Sequence, residues 1–85
     1  MKIVLKLYAQ LTDFLPNQGR DQKHEVDVEL AEGATVAHVI ERFNLPEKLL
    51  HLVLVNGVYI PPEQRLVRAL HEGDALAIWP AVAGG

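Results

Sequence analysis

The chain has 85 residues, of which 49% are apolar and none is cysteine. This length suffices for one small domain and not for a multidomain enzyme. The lack of cysteine excludes thiolate catalysis, iron–sulfur ligation and cysteine-based zinc sites. Lysine and arginine number 8 against 11 aspartate and glutamate residues, for a formal charge of −3. Because that sign opposes binding to phosphate backbones, we expect no nucleic acid partner.

No segment has the pattern of a targeting or membrane-spanning sequence. Lys6 interrupts the short apolar run that follows Lys2, so we expect no signal peptide. The longest uncharged stretch, residues 49–62, contains His51 and two prolines. It is also shorter than the ~20 apolar residues that a membrane span needs. The sequence therefore predicts a soluble, cytoplasmic protein with no membrane partner.

The first half of the chain predicts two strands and one helix. Residues 2–9 and 24–30 alternate apolar and polar side chains, as strands with one buried face do. Between them, residues 11–15 indicate a helical turn, and residues 19–23 indicate a mobile hairpin loop. From Thr35 onward the apolar residues recur at helical spacing, so we expect an amphipathic helix with Thr35 as its N-cap.

The second half predicts a hairpin and a last strand. Residues 49–55 form an aliphatic run of strand length, Asn56-Gly57 is a strong hairpin-turn signal, and residues 58–60 form the return arm. Residues 63–70 indicate a connection about one helical turn long. Residues 75–79 alternate again and predict the final strand.

Together these elements predict an α+β domain over residues 1–80 with the β-grasp fold. We expect a mixed sheet of four to five strands with one main helix on one face. Because the helix joins two strands, we also expect those strands to be parallel neighbours with a right-handed crossover. Residues 81–85 are predicted to form a flexible tail that ends in Gly-Gly.

No set of residues predicts a metal site or a catalytic centre. The histidines lack the spacing that directs two imidazoles at one metal, and they are His24, His38, His51 and His71. Glu25, Asp27 and Glu29 share one strand face with no interleaved apolar residue, so they predict a solvated surface. Since no nucleophile and base can be paired, a free-standing enzyme has no support.

The tail carries the one feature that suggests chemistry. Glycine makes up about 7% of average sequences, so two terminal glycines are uncommon by chance. A glycine carboxylate has no side chain crowding it. It can therefore enter a narrow active site, attack the α-phosphate of ATP and form an acyl adenylate. The preceding Ala81, Val82 and Ala83 lack charge and bulk, which suits insertion into a partner's tunnel. The alternative is an ordinary frayed terminus.

The sheet face without the helix is predicted to be apolar, either for docking a partner or for burial by the sheet's own curl. Side chains alternate along the last strand, so Ala77 and Trp79 face away from a helix-side Ile78. On the preceding aliphatic strand we expect Leu52 and Leu54 to face the core. The residues predicted to form the docking surface are Val4, Val53, Val55, Ala77 and Trp79.

Five short segments occur along the chain in an order that resembles the pattern of a known family. They are Lys6-Leu7-Tyr8-Ala9, Gly33-Ala34-Thr35-Val36, Val53-Leu54-Val55-Asn56-Gly57, Glu72-Gly73-Asp74 and Ile78-Trp79-Pro80-Ala81-Val82-Ala83-Gly84-Gly85. Across nearly the whole chain they resemble the MoaD/ThiS group of ubiquitin-like sulfur carriers. The ending is most similar to the small subunit of molybdopterin synthase. Residues 11–16 also resemble ubiquitin-like domains that are fused to an RNase-type domain in some bacteria.

The resemblance implies a carrier protein and not an enzyme. Gly85 would be adenylated by a ubiquitin-activating-type enzyme and converted to a thiocarboxylate, with Gly84 giving access to the carboxyl group. The carrier would hold no cofactor, since the activating enzyme consumes the ATP. The implied sulfur acceptor is the large subunit of molybdopterin synthase, in molybdenum cofactor biosynthesis.

Two alternatives stay open at this stage. The same carrier chemistry serves thiamine, tungsten-cofactor, amino-acid and tRNA thiolation pathways. A hypothesis of a different class is a β-grasp interaction module that binds a partner through its docking surface and makes no use of its tail.

Overall fold

A computed structural model describes residues 1–16 and 24–81, and within them five strands form one mixed sheet. The strands are β1 (Lys2–Leu7), β2 (Glu25–Glu29), β3 (Leu52–Val55), β4 (Val58–Tyr59) and β5 (Ala75–Trp79). Their order is β2-β1-β5-β3-β4, with β1 and β5 parallel and the other neighbours antiparallel. The same residues contain the helix α1 (Val36–Arg42) and the 3₁₀ segments Ala9–Phe14, Glu47–Leu49 and Pro62–Gln64. The predicted β-grasp fold is confirmed.

The expected pairing of the strands on either side of α1 is wrong. β2 and β3 are not neighbours, because β1 and β5 lie between them. The parallel neighbours are β1 and β5, whose register aligns Val4 with Ala75 and Leu7 with Ile78. Since β5 has a strand on each edge, its backbone polar groups are paired on both sides, as a buried central strand requires. The loop predicted at residues 19–23 and the tail residues 82–85 lie outside the described residues.

The helix α1 begins where the sequence predicts. The Thr35 side chain accepts a hydrogen bond from the backbone amide of His38, and the Thr35 amide donates to His38 Nδ1 at 2.9 Å. The first two helical amides have no partner inside the helix, and they donate instead to the carbonyls of Arg68 and Arg65. The connection after β4 therefore completes the start of the helix.

The core lies between α1 and one face of the sheet. The side chains with no solvent exposure are Ile3, Leu5, Leu7, Leu11, Val36, Val39, Val53, Val55, Leu76 and Ile78. They come from β1, β3, β5, α1 and the first 3₁₀ segment, so the first and the last strand pack in one cluster. This shared core is the main source of stability in a chain without disulfides.

The prediction that Val53 and Val55 lie on the outer face of the sheet is wrong. In the register of β3 and β5, Val53 pairs with Ile78 and Val55 with Leu76, and cross-strand partners share a face. Both valines are therefore in the core. Leu52 takes the outer face instead.

The β3–β4 turn is tied to the start of β5. Asn56 and Gly57 have φ of 50° and 84°, the positive values that a two-residue type I′ turn requires. The Asn56 amide group donates to Asp74 Oδ1, and the Ala75 backbone amide donates to Asn56 Oδ1, both at 2.9 Å. The other oxygen of the buried Asp74 carboxylate accepts from the His71 amide at 2.9 Å. These bonds fix the alignment of β5 with the hairpin.

The substitution Val53→Ala is expected to lower the free energy of unfolding by about 2 kcal/mol, because it leaves a cavity in a fully packed site. Val4→Ala makes the same change on the half-buried outer face, where the loss should be below about 1 kcal/mol. Urea unfolding of both variants measures the difference. Equal losses would contradict the assignment of Val53 to the core.

Acid is expected to remove a stabilising contribution from Asp74. Burial alone would raise the pKa of Asp74, but the hydrogen bonds from Asn56 and His71, with the charges of His71 and Arg68, lower it below 3.8. Because the folded state has the lower pKa, the contribution is present above pH 3.8 and is lost as the pH falls below it. Asp74→Asn should therefore be less stable at neutral pH and should lose less stability in acid.

Denaturant unfolding of this variant from about pH 6 to pH 2 tests the expectation. Asp27→Asn makes the same change on the exposed face of β2 and serves as the matched control. Parallel acid profiles for Asp74→Asn and the unmodified protein would refute the role of Asp74.

Candidate functional site

The sheet face opposite α1, which we call the outer face, carries an apolar strip across four strands or their ends. The strip consists of Tyr8, Leu52, Leu54, Tyr59, Ala77 and Trp79. Its members are cross-strand neighbours: Leu52 pairs with Trp79, and Leu54 pairs with Ala77 on one side. On the other side Leu54 pairs with Tyr59 of the edge strand. Leu52 and Tyr59 remain 36% and 48% exposed, so the strip is accessible to a partner.

Two aromatic rings form the end of the strip, at the sheet edge where β1 and β5 finish. The rings of Tyr8 and Trp79 are stacked, with centroids 3.9 Å apart and planes 2° apart. The His24 ring lies 4.6 Å from that of Tyr8. The Tyr8 amide donates to the Ile78 carbonyl at 3.2 Å, and the His51 amide donates to the Trp79 carbonyl at 3.1 Å. Both the ring and the backbone of Trp79 are therefore held in place.

The tail begins directly beside this aromatic pair. Pro80 follows Trp79 and is buried, and Ala81 is exposed. The predicted tail residues Val82, Ala83, Gly84 and Gly85 lie outside the described residues. The position from which the tail leaves the domain is thus set by the same residues that form the end of the apolar strip.

Charged residues border the strip on the β1–β2 side. The register places Lys2 opposite Glu29 and Lys6 opposite Glu25, so opposite charges face each other across the strand pair. Asp27 and its two neighbouring carboxylates on β2 are exposed, which confirms the predicted solvated face. An apolar centre with a charged border is the usual composition of a protein-binding surface.

The side chains of three of the described histidines make structural contacts. His38 caps α1, His24 packs against Tyr8, and His71 Nδ1 lies 3.9 Å from Asp74 Oδ2. Within residues 1–16 and 24–81, no group of three or more histidine, aspartate or glutamate side chains could hold a metal ion. None of the helices in these ranges is long and apolar enough to cross a membrane.

The structure brings together part of the predicted docking surface. Trp79, Ala77 and Val4 lie on the outer face, and Val4 aligns with Asp27 and Ala75 beyond one end of the strip. The two predicted valines of β3 lie in the core. Sequence reasoning missed four strip residues, which are Tyr8, Leu52, Leu54 and Tyr59. The signal for Tyr8 was its position in the alternation of the first strand, on the same side as Val4.

A five-stranded mixed sheet of this order with one helix on one face is the fold of small ubiquitin-like proteins. The family model of Mut7-C ubiquitin matches residues 1–84. The chain therefore belongs to the Mut7-C ubiquitin family. No curated protein matches it in sequence.

Several solved structures share this fold at low sequence identity. SAMP1 from Haloferax volcanii is 24% identical, with a TM-score of 0.69 over 100% of both chains. A candidate molybdopterin converting factor subunit 1 from Pyrococcus furiosus is 23% identical, with a TM-score of 0.69 over 96% of this chain and 99% of that one. A chain from the complex of subunits 1 and 2 of the Helicobacter pylori molybdopterin-converting factor is 16% identical, with a TM-score of 0.59 over 100% of both. With the family match, these structures confirm the ubiquitin-like fold that the resemblance implies.

The aromatic stack can be tested by fluorescence, since Trp79 is the single tryptophan of the chain. Tyr8→Leu removes the ring that covers Trp79, so we expect a red-shifted emission and stronger quenching by acrylamide. Tyr59→Leu removes another tyrosine of the strip that makes no ring contact with Trp79, and it should leave both signals unchanged. Identical spectra for the two variants would argue against the stack.

Proposed function

We propose that this chain is a sulfur carrier. It binds a ubiquitin-activating-type enzyme through its apolar strip, and Gly85 is adenylated and then converted to a thiocarboxylate. The observation that carries the proposal is the position of Trp79, which belongs to the strip and precedes the tail by one buried residue. A partner bound to the strip therefore receives the tail at a defined place.

The length of the tail limits where that partner's active centre can lie. Residues 81–85 span at most about 17 Å when fully extended, at roughly 3.4 Å per residue. The site that activates Gly85 must lie within this reach of the bound strip. Small side chains along the tail, together with Gly84, allow the chain to pass through a narrow channel.

The proposed chemistry needs only a carboxylate from the carrier. An oxygen of the Gly85 carboxylate attacks the α-phosphorus of ATP, and pyrophosphate leaves. A hydrosulfide equivalent from a sulfur donor then attacks the acyl carbon, and AMP leaves with the electron pair of the broken carbon–oxygen bond. ATP and the sulfur donor are bound by the activating enzyme, so the carrier requires no cofactor of its own.

Molybdenum cofactor biosynthesis is the acceptor pathway that we propose, with the large subunit of molybdopterin synthase as the partner. The similarity of the fold to a chain from the complex of molybdopterin-converting factor subunits 1 and 2 supports this choice. The activating enzyme and the acceptor would use the same strip in turn, because each must receive the same tail. Thiamine, tungsten-cofactor, amino-acid and tRNA thiolation use the same carrier chemistry and differ only in the acceptor.

An interaction module is a second candidate function. The exposure of Leu52 and Tyr59 on the outer face favours it, since a binding surface is present whether or not the tail reacts. This function predicts that removal of Gly84 and Gly85 leaves partner binding and cellular activity intact.

The untagged protein is expected to gain mass when it is incubated with ATP, a sulfur donor and an activating enzyme from its own source. The gain should equal the replacement of one oxygen by sulfur, and fragmentation should place it on Gly85. One residue added after Gly85, or Gly84→Leu, should abolish the gain without changing thermal stability, because the residues of the described core cluster all precede the tail. Normal thiolation of the extended protein would refute the proposal.

Docking can be separated from chemistry by a matched pair of leucine variants. Leu52→Ala should weaken binding to the activating enzyme about tenfold or less, as expected for one residue of a small interface. Leu66→Ala changes a leucine that is 75% exposed elsewhere on the domain, and it should bind normally.

In the mass experiment, no mass gain with an enzyme that loads another carrier would favour the interaction module. An amide-linked conjugate would instead indicate a protein modifier.

A further inference from the structure

A groove on the helix side of the molecule contains an arginine whose terminal guanidinium nitrogens have no hydrogen-bond partner within residues 1–16 and 24–81. It lies between α1, the 3₁₀ segment Glu47–Leu49 and the segment that follows Pro62–Gln64, and its volume is about 270 Å³. Apolar walls come from Ile40, Leu50, Pro62 and Leu66, and Arg65 also lines the groove. The groove is on the opposite side of the sheet from the apolar strip, because α1 covers the other face.

Arg65 is only 6% exposed. Its Nε donates to the carbonyl of Ile60 at 3.3 Å. Neither terminal nitrogen of the guanidinium has a hydrogen-bond or ion-pair partner among the described residues, including the Glu47 carboxylate that also lines the groove. The carbonyl of Arg65 accepts from the Ala37 amide at 2.9 Å, so its backbone is held against the helix start. Among the described residues, four N–H donors of this largely buried side chain therefore have no partner and can bind a ligand.

We propose that the groove binds an aliphatic carboxylate, with Arg65 pairing with the carboxylate oxygens. A guanidinium presents two parallel donors that match the two oxygens of one carboxylate. The apolar walls suit a short hydrocarbon chain attached to it. The groove is slightly smaller than the roughly 300–1,000 Å³ of sites for drug-sized ligands, so the ligand has a few carbon atoms only.

The charges around the groove select a monoanion. Glu47 lies in the lining and is exposed, and the whole chain carries a formal charge of −3. Both repel a phosphate dianion more strongly than a carboxylate. The carboxylate can come from a free short-chain acid or from a glutamate side chain of a partner protein. Neither source depends on the sulfur-carrier function, since the groove lies on the other side of the sheet from the strip.

An NMR titration of the full chain with isovalerate tests the proposal. We expect saturable shifts of the Ala37 and Leu66 amides, which lie in or beside the groove. Isovaleramide has the same shape without the charge, and it should bind at least about tenfold more weakly. N-acetylglutamate amide gives the second arm. Tighter binding of this compound than of isovalerate assigns the site to a partner's glutamate, and the reverse assigns it to a free acid.

Three variants show whether Arg65 carries the binding. Arg65→Met keeps an apolar stem of similar length and should weaken isovalerate binding at least about tenfold. Glu47→Gln removes the repelling charge and keeps the buried arginine, so it should tighten binding about threefold. This variant still tests the proposal if Arg65→Met fails to fold. Lys48→Gln removes a neighbouring exposed positive charge outside the groove lining, so it should not tighten binding. Absence of saturable shifts, equal binding of the amide, or no response to Glu47→Gln would overturn the proposal.

Discussion

The central position of β5 is the constraint on which the rest of the structure depends. β5 is the last strand in sequence, yet it pairs with β1 on one edge and β3 on the other. Asp74 and Asn56 hold its first residue against the β3–β4 turn through bonds of 2.9 Å. With that end fixed, the parallel pairing with β1 brings Trp79 beside Tyr8. The same alignment that closes the core therefore builds the apolar strip and sets the origin of the tail.

Because strand side chains alternate, β5 contributes to the core and to the candidate site at once. Leu76 and Ile78 have no solvent exposure, whereas Ala77 and Trp79 lie on the outer face. The core and the candidate site share the backbone of β5 and use different side chains of it. Changes on the outer face are therefore expected to alter partner binding with little loss of stability, and this separation allows binding and folding to be measured independently.

Local patterns predicted those parts of the structure that local interactions determine. Thr35 and Asn56-Gly57 form their cap and turn with near neighbours in sequence, and β2 has carboxylates that mark its exposed side. The strand Leu52–Val55 is aliphatic throughout, so nothing in its own sequence indicates which side is buried. Its register with β5, a pairing between distant residues, makes that choice. The sequence around Arg65 likewise did not indicate a site, because the burial of this arginine arises from contacts with α1, which is far away in sequence.

The connection after β4 links the groove at Arg65 to the core through α1. The carbonyls of Arg65 and Arg68 complete the start of α1, and Val36 and Val39 of α1 pack in the core beneath the sheet. A ligand at Arg65 would therefore stabilise the contact between this connection and α1. It would leave the outer face unchanged, since the full thickness of the sheet lies between them. The groove and the apolar strip lie on opposite sides of the sheet, so a partner bound to the strip would leave the groove accessible to a ligand.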